Sequence, residues 1–136
     1  MDSSEALEFL RVNHRAVLVT RRRDGRPQTS PVTVSVDDGG SVVISSRETA
    51  FKVRNLERDP HASLCAFTEQ FFGPWVQFDG TVEVVHLPEA MNGLVDYYRR
   101  LSGEHPDWDE YRAAMQTDRR VLLRLTVEAA GPDRSG

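Results

Sequence analysis

With a single cysteine, Cys65, the chain can form no disulfide within itself. Cys65 sits in the apolar run ASLCAF and reads as a packed core thiol. No apolar stretch approaches the ~18 residues a membrane helix needs, so no membrane role is expected. The start, MDSSEALEFL, lacks the basic head and apolar centre of a signal peptide, which makes the cytoplasm the expected location. Basic charge is in deficit too. A net charge of −4 argues against nucleic acid as the main partner, because phosphate neutralisation calls for a basic surface. No GxGxxG or P-loop pattern follows any strand, which removes the commonest nucleotide fingerprints. The four histidines, His14, His61, His86 and His105, lie far apart and show no metal-ligand spacing.

What is present suits one ordinary globular unit over residues 1–136, with 39% apolar and 28% charged residues. Asp2 followed by Glu5 resembles a capping box, and Ala6, Leu7 and Leu10 share one face, predicting a helix over about 3–13. The run RAVLVTRRRDGRPQTSPVTVSV changes to a period of two and is broken by Asp24-Gly25, a hairpin signal. SVVISS is a third strand, and the three read as an antiparallel meander. A short helix follows, then strands at HASLCAFT and WVQFDGTVEVVHL, the second with a bulge or bend at Gly80. Helices are expected over about 89–101, opened by Pro88, and at HPDWDEYRAAMQ. RRVLLRLTVEA is a sixth strand, and a loose tail is expected over about 129–136. The order α-β-β-β-α-β-β-α-α-β lacks regular βαβ alternation. It predicts a mainly β, α+β fold: a six-stranded antiparallel sheet curled into a small barrel, with helices outside.

Three features stand out. In SSRETAFKVRNLERDP a strand ends in Ser45 and Ser46 and runs into a helix expected to start near Glu48. At ~100° per residue, Ala50, Val53 and Leu56 share the apolar face and Lys52 lies at its edge. Lys52, Arg47, Ser45, Ser46 and Thr49 can then converge on the helix start, while Arg54 and Arg58 face solvent. Free amides and the positive dipole end make such a corner an anion site. The bland alternative is a capped surface helix with solvated charges. Second, FFGPWVQF gathers Phe71, Phe72, Trp75 and Phe78 around a Gly-Pro loop. That cluster needs cover from its own core, a second subunit or a flat ligand. Third, Pro31 in RPQTSPVTV removes a ladder hydrogen bond, so its strand is an edge or carries a bulge. Gln28, Thr29 and Ser30 stand beside it, with Ser30 and Val32 on one side.

The segments DGRPQTSPV, the strand ending SS, KVRNLERDP and the long strand after PW resemble the split β-barrel, pyridoxamine-5′-phosphate-oxidase-like flavin and deazaflavin proteins. Within that superfamily the chain is most similar to the branch of F420-dependent oxidoreductases, over about residues 14–127. The resemblance implies a homodimer with two cofactor sites between subunits. Gln28, Ser30, Pro31 and Val32 would line the ring. Ser45, Ser46, Arg47 and Lys52 would hold the phosphate, and Trp75 and Gln77 would come from the other subunit. The chain departs from many deazaflavin-binding relatives at Ala50, where they carry arginine. The shorter FMN is therefore the alternative cofactor, and Arg47 the candidate substitute for the missing cation.

The implied activity is hydride transfer between F420 and an electron-poor small molecule, with the cofactor carrying the chemistry and the protein supplying position and charge. The alternatives are an FMN oxidoreductase, a haem-handling relative, or a non-catalytic cofactor carrier. No nucleophile is required. The carboxylates of DWDEY suit the first turn of a surface helix, and Arg21 to Arg23 read as a solvated hairpin flank. Calorimetric titration tests the corner: Lys52→Ala is expected to weaken cofactor binding much more than Arg54→Ala, and equal losses would count against this geometry.

Overall fold

The computed structural model describes residues 1–135. Helix α1 (Ser3–Val12) opens with Asp2, whose carboxylate accepts the Glu5 amide at 2.8 Å and satisfies one free donor of the first turn. Its buried residues, Ala6 and Leu10, lie on the expected face. Strands β1 (Arg15–Arg21) and β2 (Pro27–Thr33) form the predicted hairpin, with Gly25 at a φ of 86° in its turn.

The long second strand does not run straight through. It breaks at Val34 and resumes as β3 (Ser35–Val36), which pairs with β4 (Val42–Arg47). Helix α2 (Phe51–Arg58), β5 (His61–Phe67), β6 (Pro74–Val85), α3 (Met91–Ser102), α4 (Trp108–Thr117) and β7 (Arg120–Ser135) complete the order. All pairings are antiparallel, in the sequence β2-β1-β5-β6-β7-β4-β3. The sheet has seven strands where six were expected, because one predicted strand is split between both sheet edges. The three-strand meander is corrected by the same break: β4 pairs with β3 and β7, and β2 with β1 alone. Since β2 and β3 are consecutive, their bend brings the two edges together and curls the sheet into a half-barrel.

The interior follows from strand alternation. Leu18, Leu64, Phe78, Ile44, Leu123 and Leu125 point inward and are fully buried, and Val53 and Leu56 of α2 and Leu10 of α1 join them. Each such side chain contributes about 1.5–3 kcal/mol by leaving water. A second cluster covers the outer face of β4 and β7, where Val43 and Leu122 pack against Leu94, Val95 and Tyr111 of α3 and α4. The Tyr111 hydroxyl donates to the Leu94 carbonyl at 2.8 Å, and burial pushes its pKa up to about 12.

The end of the chain differs from expectation. The sequence suggests a loose tail from about residue 129, yet β7 runs to Ser135 because β6 is long enough to pair with it back to Pro74. Gly136 lies outside the described residues. Cys65 is likewise not in the core. It is half-buried on the outer face of β5, where burial raises its thiol pKa.

The register of β6 on β7 shifts at Asp79/Gly80, so the bulge expected at Gly80 is present. A Cβ there would stand 2.1 Å from the Thr126 carbonyl oxygen, which is backbone and cannot swing away. Gly80→Ala is expected to cost about 1–3 kcal/mol, read as a lowered urea midpoint. Gly93→Ala, whose Cβ would meet only the movable Leu122 side chain at 2.5 Å, should cost less.

Candidate functional site

Strand β4 delivers its last residues to opposite faces. Ser45 is half-buried on the outer face. Ser46 turns inward, is 2% exposed, and its hydroxyl donates to the Arg47 carbonyl at 3.1 Å. Arg47 is exposed at the strand end, opposite Arg120 of β7. Helix α2 begins at Phe51, later than the Glu48 start expected, because residues 47–50 form a turn closed by the Ala50 amide on the Arg47 carbonyl at 3.2 Å. Ala50 is its N-cap and offers no side-chain acceptor, so the first-turn amides receive none from it. The Glu48 carboxylate points away to His86 at 3.4 Å and Arg119 at 3.5 Å.

Between the free edge of β2 and this corner lies a cleft of about 420 Å³. Pro31, Val32 and Phe67 supply its apolar wall, and Ser45, Lys52, Tyr97 and Arg15 its polar one. Lys52 is the only lysine in the chain. Among the described residues its ammonium has neither a carboxylate nor a hydrogen-bond partner. Burial, helped by the neighbouring Arg120 guanidinium, holds its pKa below the usual lysine range. Arg120 adds a second cation, whose buried Nε makes no hydrogen bond but lies 3.6 Å from the Asp118 carboxylate in an ion pair. The Tyr97 hydroxyl donates to the Thr33 carbonyl at 2.8 Å. Burial raises its pKa, opposed by the Ser45 amide and Arg120. A half-buried ammonium without an anion, a neighbouring guanidinium and the Ser45 hydroxyl make a corner that suits a phosphate ester.

Of the ten residues singled out in the sequence, Pro31, Val32, Ser45 and Lys52 line this cleft together. Gln28 and Ser30 do not. They point inward along β2, where the Gln28 Nε2 donates to the Ser30 hydroxyl at 2.9 Å and the Gln28 Oε1 accepts from Asn55 at 3.3 Å. Ser46 is buried away from the cleft, and Arg47, exposed at the strand end, does not line it. Trp75 and Gln77 sit on the outer face of β6, beside Phe67 and Cys65 in register. With Val17, Val19 and Pro31 they form a half-exposed, largely apolar sheet face that borders the cleft. The aromatic cluster divides: Phe78 enters the core, Trp75 joins that face, and Phe71 and Phe72 stay exposed, stacked edge to face at 4.9 Å.

Arg15, Phe67, Tyr97 and Arg120 escaped sequence reasoning. Each is brought in by strand register or by α3 packing across the barrel seam, and none belongs to a local motif. The signal within reach was alternation on β5, which puts Phe67 on the same face as Cys65.

The pyridoxamine 5′-phosphate oxidase family model matches residues 3–131. Among solved structures, a conserved hypothetical protein of Mycobacterium tuberculosis is similar at 24% identity, with 96% of this chain and 82% of that one covered and a TM-score of 0.78. An F420 reductase is similar at 20% identity, with 91% and 94% covered and a TM-score of 0.69. The heme storage protein HutZ of Vibrio cholerae is similar at 20% identity, with 100% and 98% covered and a TM-score of 0.72. At these identities the three share the fold with this chain.

Because Lys52 is the sole lysine, its titration can be followed as one side-chain amine resonance after isotopic methylation. The free protein should show it titrating below the usual lysine range, from burial and Arg120. A bound phosphate ester favours the charged form and raises that value. Binding therefore takes up a proton between the two values, so affinity should fall as pH rises through that interval. Lys52→Arg, which stays charged throughout, should flatten the fall.

Proposed function

The chain belongs to the pyridoxamine 5′-phosphate oxidase family, and from that premise we propose that it is an F420-dependent oxidoreductase working as a homodimer. The observation that carries this is the unmatched Lys52 ammonium beside Arg120, facing a cleft whose other wall is the unpaired edge of β2. These residues fit a cofactor with a phosphate on one end and a flat ring on the other. Lys52 and the Ser45 hydroxyl would hold the phosphate. Pro31, Val32 and Phe67 would give the ring an apolar bed, and backbone groups left free on β2 would bond its edge.

When bound, the deazaflavin supplies the hydride chemistry. The protein's part is positional. Lys52 and Arg120 fix the anionic end, and the apolar wall keeps water from one side of the ring. No side chain in the cleft is required as nucleophile. The acceptor would be an electron-poor small molecule in the remaining groove.

The outer face of β2, β1, β5 and β6 supports the dimer. Val17, Val19, Pro31, Phe67 and Trp75 stay partly exposed there, an apolar expanse suited to a second copy. A partner seated on it would roof the cleft at Pro31 and Phe67 and bring its own Trp75 and Gln77 near. FMN is the second reading, favoured by Ala50, which leaves fewer cations for a long acidic tail.

Parallel titrations with F420 and FMN, with light scattering for mass, test the proposal. Tight F420 binding at one molecule per chain, a two-chain mass and turnover of a nitroaromatic or quinone acceptor are expected. Preference for FMN would move the assignment to the second reading. A monomer that binds neither would overturn both. Trp75→Ala should shift the mass towards one chain.

A further inference from the structure

On the other side of α2 from Lys52 lies a second cleft, of about 480 Å³, lined by four arginines and no carboxylate. Arg22 and Arg23 come from the β1–β2 hairpin, and Arg54 and Arg58 from α2. In a chain of net charge −4 this is a local excess of four positive charges. Among the described residues, none of the four has an ion pair. Three acids adjoin these arginines in sequence, and each pairs elsewhere: Asp24 with Arg26 at 3.8 Å, Glu57 with His86 at 3.7 Å and Asp59 with His61 at 2.8 Å.

The cleft is also built. The Arg58 guanidinium donates through Nη2 to the Arg21 carbonyl at 2.6 Å and the Asn55 Oδ1 at 3.2 Å. Asn55 is 7% exposed and is held by its own amide, which donates to Thr20 at 3.1 Å and Gln28 at 3.3 Å. Arg58 is thus fixed by a buried network while its remaining donors face the cleft. Phe51 lines the cleft and is 73% exposed.

Four guanidinium groups line one cleft, and among the described residues no ion pair occupies any of them. Guanidinium forks match phosphate and carboxylate oxygens in pairs, and a concave site of this size admits a small molecule. We propose that this cleft binds a small organic polyanion carrying two or more phosphoryl or carboxylate groups, with Phe51 as a platform for its apolar part. The site stands apart from the Lys52 corner and does not depend on the cofactor assignment.

The test uses the full chain carrying Lys52→Ala, so that the other anion corner is silenced. Pyrophosphate and citrate are each titrated calorimetrically at physiological salt, and the tighter of the two identifies the chemistry. Saturable binding at one site per chain is expected. Adding Arg23→Ala and Arg54→Ala should weaken it about tenfold or more, the loss expected for charge-assisted hydrogen bonds. Among the described residues neither side chain makes a hydrogen bond, so the unfolding midpoint should hold. Arg112→Ala, on α4 and outside the cleft, serves as the control. Absence of saturable binding with both probes, or equal weakening by the Arg112 control, would overturn the proposal.

Discussion

One bend, at Val34, decides the architecture. The chain leaves β2 at one edge of the sheet and enters β3 at the other, so a single residue joins the two margins. Three residues, His14, Tyr97 and Arg100, hold it. The Val34 amide donates to the His14 carbonyl at 2.8 Å, and the Val34 carbonyl meets the His14 Nδ1 at 3.0 Å. Helix α3 closes over the outside, with Tyr97 bonded to the Thr33 carbonyl and the Arg100 Nε donating to the Ser35 hydroxyl at 3.2 Å. The backbone groups that leave the ladder at the bend are thereby satisfied, which lets it sit buried at low cost. Without it, β2 and β4 would be separate edges and no seam would form between them.

Both clefts follow from that seam. β2 has a ladder partner on one side only, and α2 lies along the other. The helix anchors through Val53 and Leu56, so its remaining faces must look to either flank of the seam. Lys52 falls on one flank, with Val32 and Ser45. Phe51, Arg54, Asn55 and Arg58, spaced three and four apart, fall on the other, with Gln28. An eight-residue helix thus separates two cationic environments that look like one basic run in the sequence.

That separation marks how far the sequence could be read. The hairpin, the Gly80 bulge, the helices and the edge character of the Pro31 strand were legible, because each is written in local period and turn chemistry. The split of the second strand was not, since alternation continues through Val34 and only His14, nineteen positions before Thr33 in the chain, reveals the bend. The face assignment of α2 agrees with the structure, where Arg54 and Arg58 are exposed, but it did not reach their neighbours. Lys52 lies at the apolar edge as its phase requires, while Arg54 and Arg58 meet a hairpin whose position no helical wheel contains. Gln28 was misdirected because its side chain turns to Asn55 of α2, and Ser46 because strand alternation turns it into the interior.

The choice of lysine at the cofactor corner has its own physical logic. Of seventeen basic residues, Lys52 alone is not arginine. Arg120 already places a permanent guanidinium beside it, whose buried Nε lies 3.6 Å from Asp118 and makes no hydrogen bond. A second guanidinium there would remain charged whether or not an anion were present, and the free protein would bear the full repulsion. An ammonium can release its proton when burial and a like charge disfavour it, and regain it when an anion arrives. Lysine therefore lowers the strain of the empty corner and still supplies a full charge to a bound phosphate. The four arginines across α2 are the contrasting case: they remain near solvent, where repulsion is screened, and permanence of charge costs them little.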